Sequence, residues 1–201
     1  MLELLSVVFN AVNEFQKIND SDMNGTTIGI WGNGNLGYLT TLVLKHVYPE
    51  SEIIIFGRGK EKMDYFTHVD EKHFISNVEK SVRIDYAFEC VGGNGTKDAI
   101  NQIIDHINPE GLIMMLGVSE NLVGINTRDV LEKGLKMIGC SRSGHSDFED
   151  AVEFLSDSKL NQEKVRRIIS DVISINNIDD MNYAFNHDNN NLFKTVMKWE
   201  I

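Results

Sequence analysis

Residues 26 to 155 predict an α/β fold, a doubly wound parallel sheet, on three observations. Short apolar runs alternate with longer stretches of helical spacing, the signature of crossover connections between parallel strands. The apolar runs are continuous rather than alternating, as strands covered on both faces require. A glycine-rich loop, Gly32-Asn33-Gly34-Asn35-Leu36-Gly37, joins the first run directly to the first long helical stretch.

Each element has its own reason. Leu5, Val8, Phe9, Val12 and Phe15 keep helical spacing, and apolar residues on most faces require cover on more than one side. The polar stretch Asn19 to Gly25 ends this leading helix. Thr26 to Trp31 reads as the first buried strand and Leu36 to Val47 as a helix that stops before Pro49. Glu52 to Phe56 is the second strand, closed by Gly57, and Lys60 to Phe66 can form a short helix. Ile84 to Val91 is a further strand. Thr96 can cap a helix with Ala99, Ile100, Ile103, Ile104 and Ile107 on one stripe, ended by Pro109 and Gly111. Leu112 to Leu116 and Leu135 to Cys140 are the next two strands. Ser146-Asp147-Phe148-Glu149 has the form of a capping box ahead of Ala151, Val152 and Leu155. Beyond about residue 165 the pattern changes, with strands expected over Asp171–Ile175 and Thr195–Trp199 and Asn-rich turns between them. Three regions follow: a leading helix over 1–20, the wound domain over 21–170, and a C-terminal segment over 171–201.

Composition narrows the function. Thirty acidic residues against 19 Lys and Arg give a net charge of −11, which repels a phosphate backbone, so no nucleic-acid partner is expected. No apolar stretch is long enough to span a bilayer, so no membrane partner is expected. Cys90 and Cys140 both lie in apolar runs and read as reduced core residues of a cytoplasmic protein.

The glycine loop carries the chemistry. Gly32 permits the tight turn after the strand, Gly34 lets backbone approach a pyrophosphate, and Gly37 lets helix and strand pack closely. Free N–H groups at the helix N-terminus, with Asn33, Asn35 and Leu36 between the glycines, complete a dinucleotide site of the Rossmann kind. The alternative is a glycine-rich connection without a ligand. The end of the second strand selects the cofactor. NAD-binding versions place an acid there for the ribose 2′-hydroxyl. This chain has Gly57 followed by Arg58, with Lys60 and Lys62 close behind, a basic spot suited to a 2′-phosphate. NADP(H) is therefore expected over NAD(H); the competing view of these residues is a solvated surface turn.

Taken in order, the glycine loop, Phe88-Glu89-Cys90-Val91-Gly92, Leu116-Gly117-Val118 and Val130 to Gly139 resemble the cofactor domain of the medium-chain, zinc-dependent alcohol and polyol dehydrogenases over nearly the whole chain. Asn126 to Leu135 and Ser141-Arg142-Ser143-Gly144 further resemble the ribulose-5-phosphate reductases, which supply ribitol 5-phosphate. The resemblance implies that Cys90, Val91 and Gly92 line the cofactor. It places Leu116, Gly117 and Val118 near the nicotinamide ribose and ring, Ile138 near the carboxamide, and Lys62 with Arg58 near the adenosine ribose. It implies hydride exchange with a polyol or ketose phosphate, Arg142 serving either the substrate phosphate or a structural ion pair. It also implies a homodimer formed through the strand near Leu135–Cys140.

The same family has an N-terminal barrel-like catalytic domain that this chain is expected to lack. Glu3 stands where family members carry a Glu able to approach a catalytic zinc, but catalytic zinc needs about three protein ligands. Zinc is therefore expected only in a full-length parent, and the preferred reading of Glu3 here is a solvated helix-terminal acid. The alternative functions are a dinucleotide-binding regulatory or sensor module without catalysis and a nucleotide-dependent enzyme of another class, such as a methyltransferase.

Overall fold

A computed structural model describes residues 1–199; positions 200 and 201 of the expected C-terminal segment lie outside the described residues. Six strands form one sheet: β1 (Thr27–Trp31), β2 (Glu52–Gly57), β3 (Glu71–Phe74), β4 (Ile84–Glu89), β5 (Ile107–Met115) and β6 (Lys136–Gly139). Their order is β3-β2-β1-β4-β5-β6, and every neighbouring pair is parallel. The chain thus winds outward from β1 in one direction and from β4 in the other, the doubly wound topology expected.

The helices are α1 (Leu2–Ile18), α2 (Asn35–Val47), α3 (Lys60–Met63), α4 (Thr96–His106), α5 (Thr127–Glu132) and α6 (His145–Ser156). Strands with apolar side chains on both faces need helices on both. On one face Ala99, Ile100, Ile103 and Ile104 of α4 pack with Trp31, Phe56, Ile84 and Ile113. α1 packs against α2, and its fully buried Phe15 meets Tyr86 edge-on at 5.1 Å and Phe88 at 5.6 Å between ring centres.

The chain divides into two units, Met1–Ala151 and Val152–Ile201. The second holds α7 (Lys159–Arg166), β7 (Ile169–Ile175), α8 (Ile178–Asp188) and β8 (Lys194–Trp199). β7 and β8 pair in parallel. A parallel pair needs a crossover, and α8 supplies it, started by Asn177, whose side chain accepts from the Asp180 N–H.

Four local expectations are corrected. β3 was not foreseen: Glu71-Lys72-His73-Phe74 has no apolar run, and it is a strand because its backbone pairs with β2 at the sheet edge. The short helix expected over Lys60–Phe66 stops at Met63. α4 ends at His106, so Ile107 opens β5 instead of closing the helical stripe, and β5 begins well before Leu112. Pro109 has no N–H to give the ladder; the register slips between Ile84 and Tyr86, and Glu110 takes a φ of 65° while its N–H donates to the Lys133 carbonyl. Finally, α6 starts earlier than Ser146. The Asp147 carboxylate, not Glu149, reaches back to the N–H of Gly144 at 2.7 Å, the reciprocal half of a capping box moved upstream.

Candidate functional site

In a doubly wound sheet ligands bind beyond the carboxyl ends of the strands where the winding reverses. That point lies between β1 and β4, and a cleft of about 630 Å³ opens there. Gly32, Asn33 and Gly34 border it after β1; Gly57, Arg58, Gly59 and Lys62 after β2; and Cys90, Val91 and Gly92 after β4. Trp31 and Phe56, stacked at 3.7 Å between ring centres and 8° apart, belong to its wall, and the Trp31 indole donates to the Gln102 side chain at 2.8 Å. Phe74, the last residue of β3, and Ile75 and Ser76 just after it complete the lining.

The glycines of the loop differ in what they accommodate. Gly32 has a φ of 113°, and a Cβ there would stand 2.8 Å from the Cys90 carbonyl oxygen. A Cβ on Gly37 would lie 1.6 Å from the Gly32 carbonyl oxygen, so this glycine sets how closely α2 approaches the loop. Gly34 is of another kind. No atom lies within 4 Å of where its Cβ would be, so packing does not require it, and the space is open to a ligand. Gly34 is the N-cap of α2, which has no side-chain cap and no acid in its first turn. Its first N–H groups are therefore left for an anion.

The turn after β2 is held from the loop. The Asn33 amide donates to the Arg58 carbonyl at 2.6 Å, and the Arg58 N–H donates to Asn33 Oδ1 at 3.2 Å. The Arg58 guanidinium has no ion pair or side-chain hydrogen bond among the described residues, and the residue borders the cleft. A free cation in a chain of net charge −11 is a local inversion of the field.

Glu89 organises the far side. It is fully buried at the end of β4. Its carboxylate accepts from the N–H of Val91 at 2.7 Å and of Gly117 at 3.1 Å, and its carbonyl accepts from Leu116 and Gly117. Gly93 donates to the Val118 carbonyl at 2.8 Å. The loops after β4 and β5 are thereby clasped together. Burial pushes the Glu89 carboxyl up to about 7, against the two N–H donors that favour its ionised form. Burial likewise pushes the thiols of Cys90 and Cys140 up, to about 12 and about 11, so both are unreactive at neutral pH.

Of the residues singled out from sequence, Gly32, Asn33, Gly34, Gly57, Arg58, Lys62, Cys90, Val91 and Gly92 border the cleft. Asn35, Leu36 and Gly37 form the first turn of α2 behind it. Lys60 opens α3, exposed and outside the lining. Leu116, Gly117 and Val118 stand beside Cys90–Gly92 through the Glu89 clasp, and Ile138 pairs in register with Met114 one strand further out. Arg142, at a φ of 67°, borders a separate polar groove with Asn10, Asn13, Lys17 and Asp147. Glu3 is exposed in the first turn of α1, and no group of three or more His, Cys, Asp or Glu able to hold a metal occurs among the described residues. Two things escaped the sequence reading. Nothing near Glu89 in the sequence marks it as the clasp between two loops, and the Asn33 amide pairs across 25 positions, beyond any local pattern.

A sheet in this order, with a glycine loop opening a helix at its switch point, defines a Rossmann-type nucleotide-binding domain. The chain belongs to the glucose dehydrogenase C-terminus family, which matches residues 1–199. It is 46% identical over 198 residues to ribulose-5-phosphate reductase 1 of Staphylococcus aureus, a match covering 98% of this chain and 58% of the relative. To the ribulose-5-phosphate reductase of Bacillus spizizenii it is 41% identical over 200 residues, covering 99% and 58%. Among solved structures, S. aureus TarJ in complex with NADPH superposes with a TM-score of 0.94 at 44% identity, over 99% of this chain and 62% of TarJ. The chain thus spans somewhat more than half the length of the curated relatives it matches. No helix among the described residues is long and apolar enough to cross a membrane.

Proposed function

We propose that this chain is the cofactor-binding portion of an NADP(H)-dependent oxidoreductase that passes hydride between NADPH and a ketose or polyol phosphate, with ribulose 5-phosphate reduced to ribitol 5-phosphate as the favoured reaction. One observation carries it: the cleft at the switch point presents a free Arg58 where a NAD site would present an acid, in a chain 44% identical to a protein solved with NADPH. NADPH, when bound, supplies the hydride. The protein's part is to bind and orient it. The N–H groups at the start of α2 and the open face of Gly34 take the pyrophosphate. Arg58 and Lys62 take the 2′-phosphate, and Cys90–Gly92, Leu116–Val118 and Ile138 face the nicotinamide half. Lys60, exposed beside them, adds long-range attraction.

Glu3 by itself is one donor, so the described residues do not fit a catalytic zinc. The relatives' greater length supports a further domain that residues 1–20 and 171–201 would meet, flanking the cofactor unit at 21–170. A homodimer would form at β6, whose Lys136-Met137-Ile138-Gly139 carries one charge, while the opposite edge, Glu71-Lys72-His73-Phe74, is charged against pairing. Two free, partly buried thiols suit a reducing cytoplasm. A sensor module without turnover is the competing reading, and kinship to reductases favours the enzyme.

Titrating the chain with NADPH and NADH, read by dinucleotide fluorescence, tests the cofactor assignment. NADPH should bind more tightly, and Arg58→Ala should weaken it by about tenfold or more, as loss of a charged hydrogen-bond partner does, while leaving NADH unchanged. Equal affinities in the unaltered chain would overturn it. Failure of the full-length protein to oxidise NADPH with ribulose 5-phosphate would overturn the reaction.

A further inference from the structure

The Asn33 side chain occupies the space directly over Gly57 while it holds both backbone groups of Arg58. We infer that Asn33 is the positioning residue that sets the choice of dinucleotide, by excluding a side chain at position 57 and fixing the residue next to it. The inference rests on the cofactor site proposed above.

Two independent observations meet at this residue. The first is steric. A Cβ on Gly57 would stand 2.5 Å from Asn33 Cγ and 2.6 Å from Asn33 Cβ, distances that real Cβ atoms do not adopt, and 2.7 Å from Met63 Sδ. Gly57 has no positive φ, so its backbone would admit any residue; only the neighbouring side chains forbid one. The place where a NAD-type site presents its acid is therefore filled by an amide belonging to the glycine loop. The second observation is the hydrogen-bonded pair. The Asn33 amide donates to the Arg58 carbonyl and accepts from the Arg58 N–H. This pairing copies a strand's exchange with a neighbour, and it removes the backbone freedom of the residue that carries the free guanidinium. Asn33 is 9% exposed, so these bonds are poorly contested by water. Gly59, at a φ of 72°, gives the chain its turn immediately afterwards. Without the pair, Arg58 would sit in a glycine-flanked turn free to point elsewhere, and its contribution to a 2′-phosphate would be diluted by that freedom.

The steric geometry dictates how specificity can be reversed. Because the contact involves Asn33 Cβ as well as Cγ, alanine at 33 does not make room for a side chain at 57, whereas glycine does once the flexible Met63 thioether turns aside. An acid at 57 should fail alone and succeed with a glycine at 33.

The experiment measures affinities of the chain for NADPH and NADH by the same fluorescence titration, with thermal melting to confirm folding, for the unaltered protein, Asn33→Ala, Gly57→Asp and Asn33→Gly with Gly57→Asp. Asn33→Ala should weaken NADPH by about tenfold more than it weakens NADH, the worth of one to two hydrogen bonds. Gly57→Asp should bind neither dinucleotide well. The double variant should bind NADH more tightly than Gly57→Asp does and more tightly than it binds NADPH. If Asn33→Ala weakens both dinucleotides by one factor, or if Gly57→Asp alone turns to NADH, the inference is overturned while the cofactor site stands. If the unaltered chain binds neither dinucleotide, the cofactor site itself is overturned, and the inference with it.

Discussion

Glu89 is the residue whose behaviour depends most on where the fold puts it. A carboxyl near its ordinary 4.5 in an unfolded chain is pushed by burial to about 7 when folded. A raised value means that the folded state holds its proton more firmly, so the stabilising contribution is complete below about pH 4.5 and is lost as pH rises through about 7. Glu89→Gln keeps the size and stays neutral. The stability of the natural protein relative to this variant should therefore fall by up to about 3 kcal/mol between about pH 5 and about pH 8. Denaturant unfolding of both proteins at the two pH values measures it, and a difference that does not move with pH would remove Glu89 as the cause. The same carboxyl clasps the loops after β4 and β5, which are proposed to face the nicotinamide half. Ionising it changes a group that accepts from Val91 and Gly117, so affinity for the dinucleotide should share this pH dependence.

Among the elements, α4 shows how a distant residue finishes what local sequence starts. Its stripe follows from Ala99, Ile100, Ile103 and Ile104, but Thr96 does not cap it: the N-cap is Gly95, without a side-chain cap, and the Thr96 hydroxyl donates to the Val91 carbonyl at 2.8 Å instead. Its end is completed by Lys133, whose ammonium donates to the carbonyls of Ile104, Asp105 and Ile107. A cation at the last carbonyls satisfies groups with no helical partner and complements the helix dipole. Lys133→Met keeps the stem and removes the charge; it should cost about 1 kcal/mol and lower the melting temperature, with dinucleotide affinity retained. α1 is fixed in a comparable way. Asn10 and Asn13 donate to the Asp147 carboxylate at 3.3 and 2.9 Å, the same group that starts α6. A single acid thus ties the first helix to the sixth.

For the whole molecule, the two sheet edges differ in what they admit. Charged β3 discourages a partner strand, and β6 leaves its outer edge open. The chain should sediment as a dimer at micromolar concentration; a monomer would count against pairing at β6. The acidic surface should leave dinucleotide binding weakly disfavoured at low salt everywhere except at Arg58 and Lys62, where added salt should weaken NADPH more than NADH by screening the extra phosphate.

What the sequence determined by itself was short-range. Continuous apolar runs, helical stripes and glycine punctuation specify parallel strands and crossover helices from residues a few positions apart, and the glycine loop located the cleft. Gly57 and Arg58 were legible because a strand's end and the next residue are neighbours in the chain. What only the tertiary structure decided joins distant positions. β3 is a strand because β2 is beside it, despite a polar sequence. Pro109 and Gly111 sit in a register slip rather than a loop because β4 continues past them. Asp147 replaces Glu149 in the cap because α6 starts at His145 and α1 lies against its first turn. Asn33 meets Gly57 and Arg58 only once β1 and β2 have paired in register, Trp31 opposite Phe56. Periodicity and turn chemistry act over a few residues and can be read in one dimension. Steric exclusion, burial and the pairing of buried polar groups depend on which surfaces the folded chain brings together.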